Sequence, residues 1–211
     1  MTIRLHRGDL PDLSSSELAA YASADAIAID TETLGLKPHR DRLCVVQLSP
    51  GDGTADVVQI AAGQTSAPNL AKLLGDASKT KLFHFARFDV AVLSNGLGID
   101  CAPVWCTKIA SRLVRTYTDR HGLKDLAREM IGVEISKQQQ SSDWAAETLS
   151  DAQLAYAASD VLYLHAIREQ LAARLARENR TEIAQACFDF LPTRARLDLA
   201  GWDDTDIFAH S

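Results

Sequence analysis

Apolar residues recur along this chain at two spacings, and the change from one to the other divides it. Residues 26–30, Ala-Ile-Ala-Ile-Asp, form a short apolar run that closes on an acid, the pattern of a buried strand. Residues 42–48 and 54–60 are β-branched runs on either side of Ser-Pro-Gly-Asp-Gly, which predicts a hairpin next to that strand. Pro68–Leu74 has helical spacing. Residues 81–85 predict a fourth strand, residues 88–93 the helix after it, and Val104 with Trp105 a short fifth strand. From Thr107 the period becomes helical, over 107–114 and again over 121–131. Ser150 and Gln153 stand at capping-box spacing and open one long helix. Its buried stripe is Leu154, Ala157, Val161, Leu164, Leu171 and Leu175. Hairpin-linked strands followed by alternating strand and helix predict an α/β domain with a mixed central sheet flanked by helices.

Composition narrows the function classes. The 211 residues are 46% hydrophobic and 24% charged, enough to bury a core and far from the make-up of a disordered chain. No internal repeat or low-complexity linker interrupts them. No run approaches the roughly 18 apolar residues of a membrane helix, so no membrane partner is expected. The first residues mix acid and base without an apolar stretch, so no secretory signal is expected either. Cys44, Cys101, Cys106 and Cys187 form no Cys-x-x-Cys pair, which favours reduced thiols in a cytoplasm over a zinc site. Lys and Arg number 22 against 28 Asp and Glu, a net charge of −6 at pH 7. A protein gripping long nucleic acid by its phosphates alone carries the opposite balance. A phosphodiester partner would therefore be short, metal-held, or met by local basic patches such as Lys108, Arg112 and Arg115 at helical spacing.

Four acids fall where a merely solvated surface does not put them. Asp30 and Glu32 share a face at the end of the first predicted strand, since side chains alternate along it. Two carboxylates there repel each other unless a cation lies between them. Asp89 stands at the junction of the fourth strand and its helix, where an acid can also simply complement the helix dipole. Asp160 and Tyr156 lie one turn apart on the long helix, at the margin of its buried stripe. Singly, each pattern is weak. Together they describe oxygen ligands from separate elements, which suit a hard divalent cation. Two such ions about 4 Å apart are the apparatus of phosphodiester hydrolysis.

With those residues in order, the chain resembles the DEDD exonucleases, in the ribonuclease D branch with tyrosine in its third motif. Asp30-Thr31-Glu32 is similar to the first motif, residues 84–89 to the second, and Tyr156-x-x-x-Asp160 to the third. The sister branch places histidine five residues before the last aspartate, where this chain has Ala155. Phe85 departs from the asparagine that often follows the second-motif histidine. The segments 137–144, 116–121 and 201–211 resemble a narrower group, nanoRNase C, over essentially the full length.

The resemblance implies a ribonuclease H-like fold and a single exonuclease domain over residues 1–211, without a helical RNA-binding (HRDC) domain. Its motif core would span about 26–175, leaving 181–211 for packing or oligomerisation. It implies two Mg²⁺ or Mn²⁺ ions on Asp30, Glu32, Asp89 and Asp160, with Tyr156 placing the attacking water. Thr31, Leu36, His84, Arg87, Lys137 and Gln138 are the expected substrate contacts, Leu36 as a wedge against the bases. The implied activity is 3'-5' hydrolysis of short RNA, dinucleotides included, to nucleoside 5'-monophosphates, by a ring-like homo-octamer. DNA, duplex DNA among it, and longer RNA 3' ends are the alternative substrates. A non-catalytic nucleic-acid-binding scaffold is the alternative class, and it predicts loss of an acid or the tyrosine; all five are present. Phe188, Phe190, Trp202 and Phe208 concentrate aromatic area near the end of the chain, fit either for the chain's own core or for a subunit interface.

Overall fold

Ala26–Ile29 are buried because the strand they form, β2 (Ala26–Thr33), lies inside a six-stranded sheet rather than at its edge. This computed structural model describes residues 2–136 and 138–210. In chain order the first elements are β1 (Thr2–Arg7), α1 (Ala19–Ser23), β2, β3 (Leu43–Ser49), β4 (Thr54–Gln59) and α2 (Pro68–Leu74). They are followed by β5 (Thr80–Phe83), α3 (Ala86–Leu97) and β6 (Val104–Cys106). After these come the α-helices α4 (Thr107–Val114), α5 (Leu123–Ile131), α6 (Asp151–Leu162), α7 (Leu164–Arg177) and α8 (Thr181–Leu197). The strand order is β1-β4-β3-β2-β5-β6. β2, β3 and β4 are antiparallel neighbours, while β1, β5 and β6 join in parallel, so the sheet is mixed as expected.

β2 is three residues longer than the apolar run predicts. The antiparallel ladder to β3 continues past Asp30, pairing Thr31 with Val46 and Glu32 with Val45, before the register shifts between Glu32 and Thr33. Both acids of the first motif therefore stand on strand geometry and on one face. β1 gives no apolar run because it is a half-exposed edge strand with Arg4, His6 and Arg7 in it. It is anchored instead by polar contacts: Arg4, His6 and Tyr21 all bond the buried Asp56 of β4.

α6 crosses the sheet, and Trp144, Leu149 and Ala157 pack there against Cys44, Val45 and Val57. The larger apolar cluster joins the sheet to α3, α7 and α8. The capping box at the start of α6 forms, with Ser150 Oγ accepting from the Gln153 amide and Gln153 Oε1 from the Ser150 amide at 3.0 Å. The long helix predicted beyond it is two helices. The chain unwinds at Tyr163 (φ −102°, ψ −6°) and restarts at Leu164, where His165 Nε2 reaches the Ala26 carbonyl at 3.0 Å. A one-residue break hardly shifts the phase of an apolar stripe, so periodicity cannot register it. Most of the expected tail is α8, whose Phe188 is buried against Trp105 with ring centroids 5.0 Å apart. Trp202 and Phe208 beyond it are exposed.

Candidate metal centre and cleft

The sheet ends at an open cleft of about 670 Å³, and three of the four acids meet in it. One carboxylate oxygen each from Asp30, Glu32 and Asp160 lie within 4.8 Å of one another. Asp30 and Glu32 arrive on β2, while Asp160 comes from α6, which lies across that strand's face. Asp89 does not join this trio. It is buried in the first turn of α3, and its Oδ1 accepts the Thr31 hydroxyl at 2.7 Å.

Crowding of acids shows in their proton affinities. Burial, then Asp89, Asp160 and Glu32, hold Asp30 well above the usual carboxylate range. Burial, then Asp160 and Asp89, push Glu32 up to about 9. Asp89 is raised to about 7, burial outweighing the hydrogen bonds from Thr31 and backbone that oppose it. Asp56 makes the contrast within the same sheet. Burial would raise it too, but Arg4, His6 and Tyr21 overcome that penalty and leave it below the usual value. The fold compensates Asp56 with donors of its own and leaves Asp30, Glu32 and Asp160 crowded together. An oxygen-only donor set under mutual repulsion fits hard divalent cations such as Mg²⁺ and Mn²⁺.

Tyr156 lines the cleft one turn before Asp160 and shares a hydrogen bond with it. Burial, followed by Asp160, Glu32 and Asp30, raises its phenol above the ordinary tyrosine value, so it is protonated at neutral pH. Its ring packs on Trp144, centroids 5.9 Å apart. His84 also lines the cleft. The Thr107 hydroxyl lies 3.2 Å from the Phe83 carbonyl. The same hydroxyl lies 2.8 Å from His84 Nδ1.

The other expected contacts divide. Thr31 and Leu36 line the cleft, Leu36 with 85% of its surface exposed. Arg87 does not. Its guanidinium is spent on Asp198, at 2.5 and 2.7 Å, and on the Asp203 carbonyl at 2.6 Å, so it ties α3 to the end of the chain. Gln138 is exposed away from the lining, and Ser136, Gln140 and Ser142 of the same segment line it instead. Lys137 lies outside the described residues. Of the basic stripe on α4, Lys108 lines the cleft, whereas Arg115 is buried and bonds Glu129, Ser111 and the Arg120 carbonyl. Phe85 carried no recognised signal beyond its departure from asparagine. It takes the left-handed conformation (φ +77°) that turns the chain from β5 into α3, and the Lys108 ammonium sits 4.3 Å from its ring centroid.

Residues 11–176 match the 3'-5' exonuclease family, a span that holds all four acids and Tyr156. The chain belongs to that family. Its place is among the ribonuclease D-like DEDD members, and its mixed sheet with flanking helices is their ribonuclease H-like fold. It is 65% identical to Brucella melitensis NrnC solved with bound Mg²⁺, with TM-score 0.94 and full coverage of both chains. The same Brucella protein bound to pGG is matched at 66% identity and TM-score 0.94, again over the whole of each chain. The ribonuclease D of Acidiphilium cryptum strain JF-5 is 37% identical over 161 residues, which are 76% of this chain and 41% of that protein. The chain thus spans about two fifths of the length of these curated ribonuclease D relatives. Among the described residues, no helix is long and apolar enough to cross a membrane.

Proposed function

We propose that this protein is a metal-dependent 3'-5' exoribonuclease that releases nucleoside 5'-monophosphates from short oligoribonucleotides, dinucleotides included. The observation that carries the reading is the meeting of Asp30, Glu32, Asp160 and Tyr156 in one open cleft that also presents the exposed Leu36. The similarity to a Brucella protein solved with Mg²⁺ and with pGG supports the same ligand classes here.

Asp30, Glu32, Asp89 and Asp160 would hold two divalent ions, Mg²⁺ or Mn²⁺, which when bound supply charge stabilisation at the phosphoryl oxygens and a more acidic water. Asp89 would join through its second carboxylate oxygen, with Oδ1 still accepting from the Thr31 hydroxyl. Tyr156, protonated, orients the attacking water through its hydroxyl and does not act as the base. Leu36 offers an apolar edge to the bases, and His84 borders the substrate. Ser136, Gln140 and Ser142 carry the contacts expected of Gln138. The negative net charge suits a substrate with few phosphates, for which a long basic channel adds nothing. The proposed setting is the cytoplasm and the proposed assembly a ring-like homo-octamer, for which the exposed Trp202, Ile207 and Phe208 offer apolar contact area.

The test is hydrolysis of 5'-labelled RNAs from two nucleotides upward, beside single- and double-stranded DNA, in Mg²⁺ and in Mn²⁺, with Asp160→Asn as control. Rapid loss of the dinucleotide with slow attack on longer RNA supports the reading. Steady laddering of duplex DNA replaces it with a DNA-degrading role, and binding without turnover in Mn²⁺ replaces it with a scaffold.

A further inference from the structure

Gln47 stands in β3 directly opposite Asp30 of β2 in the antiparallel register. Opposed residues of such a pair share a face, so the amide meets the carboxylate: Nε2 donates to Asp30 Oδ2 at 2.8 Å. Gln47 is fully buried, and its Oε1 is a buried oxygen with no hydrogen-bond partner among the described residues. Leaving a buried acceptor unpaired is costly, because the oxygen gives up its hydrogen bonds to water and gains none in return. Turning the amide over would set its oxygen against the Asp30 oxygen. The carboxylate therefore dictates this orientation, and an apolar side chain at position 47 would carry no unpaired oxygen.

Asp56 shows what the same sheet does with a buried acid whose role is structural. There Arg4 donates twice at 2.7 Å, His6 Nε2 lies at 2.7 Å, and the Tyr21 hydroxyl donates at 2.8 Å. Asp30 receives a neutral amide instead, and the charged groups acting on it are Asp89, Asp160 and Glu32. A lysine or arginine at position 47 would orient the carboxylate equally well but cancel the charge a metal ion needs. A neutral donor fixes one oxygen and leaves both the charge and the other oxygen for the cation.

We infer that Gln47 is a positioning residue for metal binding, holding the Asp30 carboxylate in its ligating orientation without neutralising it. This rests on the metal-dependent reading of the cleft. Partners of this kind behind metal ligands change affinity by roughly 10–100-fold when removed.

The experiment measures Mn²⁺ binding by titration calorimetry, together with melting temperature with and without Mn²⁺, for the wild type, Gln47→Met, Gln47→Lys and Asp30→Asn. Gln47→Met keeps the volume and loses the donor. It should melt, metal-free, within a few degrees of the wild type, bind Mn²⁺ about 10–100-fold more weakly, and recover activity in excess metal. Gln47→Lys should melt higher without metal and lose the Mn²⁺-induced rise. Wild-type affinity in both Gln47 variants, with binding lost in Asp30→Asn, overturns the inference and leaves the metal centre standing. Wild-type affinity in Asp30→Asn overturns the metal reading itself. If Gln47→Met does not fold, Gln47→Lys decides: an unchanged Mn²⁺ response overturns the inference.

Discussion

The hydroxyl of Thr31 donates to the carboxylate of Asp89 across 2.7 Å, joining the middle residue of the first motif to the acid of the second. Side chains alternate along β2, so Thr31 points away from Asp30 and Glu32 and toward α3. The bond is buried at both ends, Thr31 with 7% and Asp89 with 2% of its surface exposed. It explains why Asp89 stands apart from the trio in the cleft while lying close enough to act on Asp30 and Glu32 through its charge.

Thr31→Val removes that donor at nearly constant volume. A hydrogen bond to a charged group contributes about 1.5–3 kcal/mol, so stability should fall by about that much at a pH well above 7, where Asp89 is ionised. Metal titration should show one site weakened, since Asp89 is then free to rotate. Thr31→Ser should restore both properties. Denaturant melts and calorimetry check this, and a Thr31→Val protein with wild-type stability would show that the bond carries no weight.

Asp160→Asn takes one charge from a crowded trio. Turnover should drop by roughly 10²–10³-fold or more, the scale for losing one group that stabilises charge in the transition state. The metal-free protein should melt at the wild-type temperature or above, because Asp30 and Glu32 lose a repelling neighbour. Steady-state rates with differential scanning fluorimetry test both halves, and a sharp loss of metal-free stability would contradict the repulsion argument.

Tyr156→Phe deletes one hydroxyl and keeps the ring against Trp144. A neutral hydrogen bond contributes about 1–1.5 kcal/mol, so kcat should fall about tenfold with KM within about twofold. The rate should not acquire a new alkaline limb, since the phenol is already protonated at neutral pH. An unchanged kcat in the variant would reduce Tyr156 to a packing residue.

Sequence pattern and structure part company at identifiable places. The buried strands β2 to β5 and the helix α4 were legible because an apolar run or a helical stripe marks a face that must be covered. β1 was not, because its contribution lies in Arg4 and His6 reaching Asp56, a pairing 50 or more residues apart that no local pattern encodes. The acids and Tyr156 were legible through motif spacing. Which of them touch was not: spacing put Asp89 level with the other three, whereas the Thr31 hydroxyl sets it back. Gln47 was invisible because a lone glutamine in an apolar strand carries meaning only once its register opposite Asp30 is known. Arg87 was misplaced for the converse reason, since it sits inside the second motif while its partner Asp198 lies 111 residues away.

Arg87→Ala should therefore affect stability and leave substrate affinity alone. Asp198 keeps Arg194 at 2.7 Å, and Arg87 is about one-third exposed, so the loss should be about 1–2 kcal/mol. KM for a dinucleotide should stay within about twofold. A tenfold rise in KM at unchanged melting temperature would return Arg87 to the substrate.

Asp56 predicts an acid-dependent part of the protein's stability. Its carboxyl is held below the usual value in the folded state, so the unfolded chain binds its proton more readily. The stabilisation is fully present above the unfolded value, about pH 3.9, and is lost as pH falls through the lower folded value. Asp56→Ala leaves Arg4 in a mostly buried setting with 20% exposure, and should cost about 3 kcal/mol at pH 7, the low end for breaking a buried pair. The gap between wild type and variant should hold from pH 7 down to about 4 and narrow below it as the wild type loses the ionised partner. Urea melts across that range measure it directly. A gap that stays constant down to pH 2 would show that Asp56 contributes through packing and not through its charge.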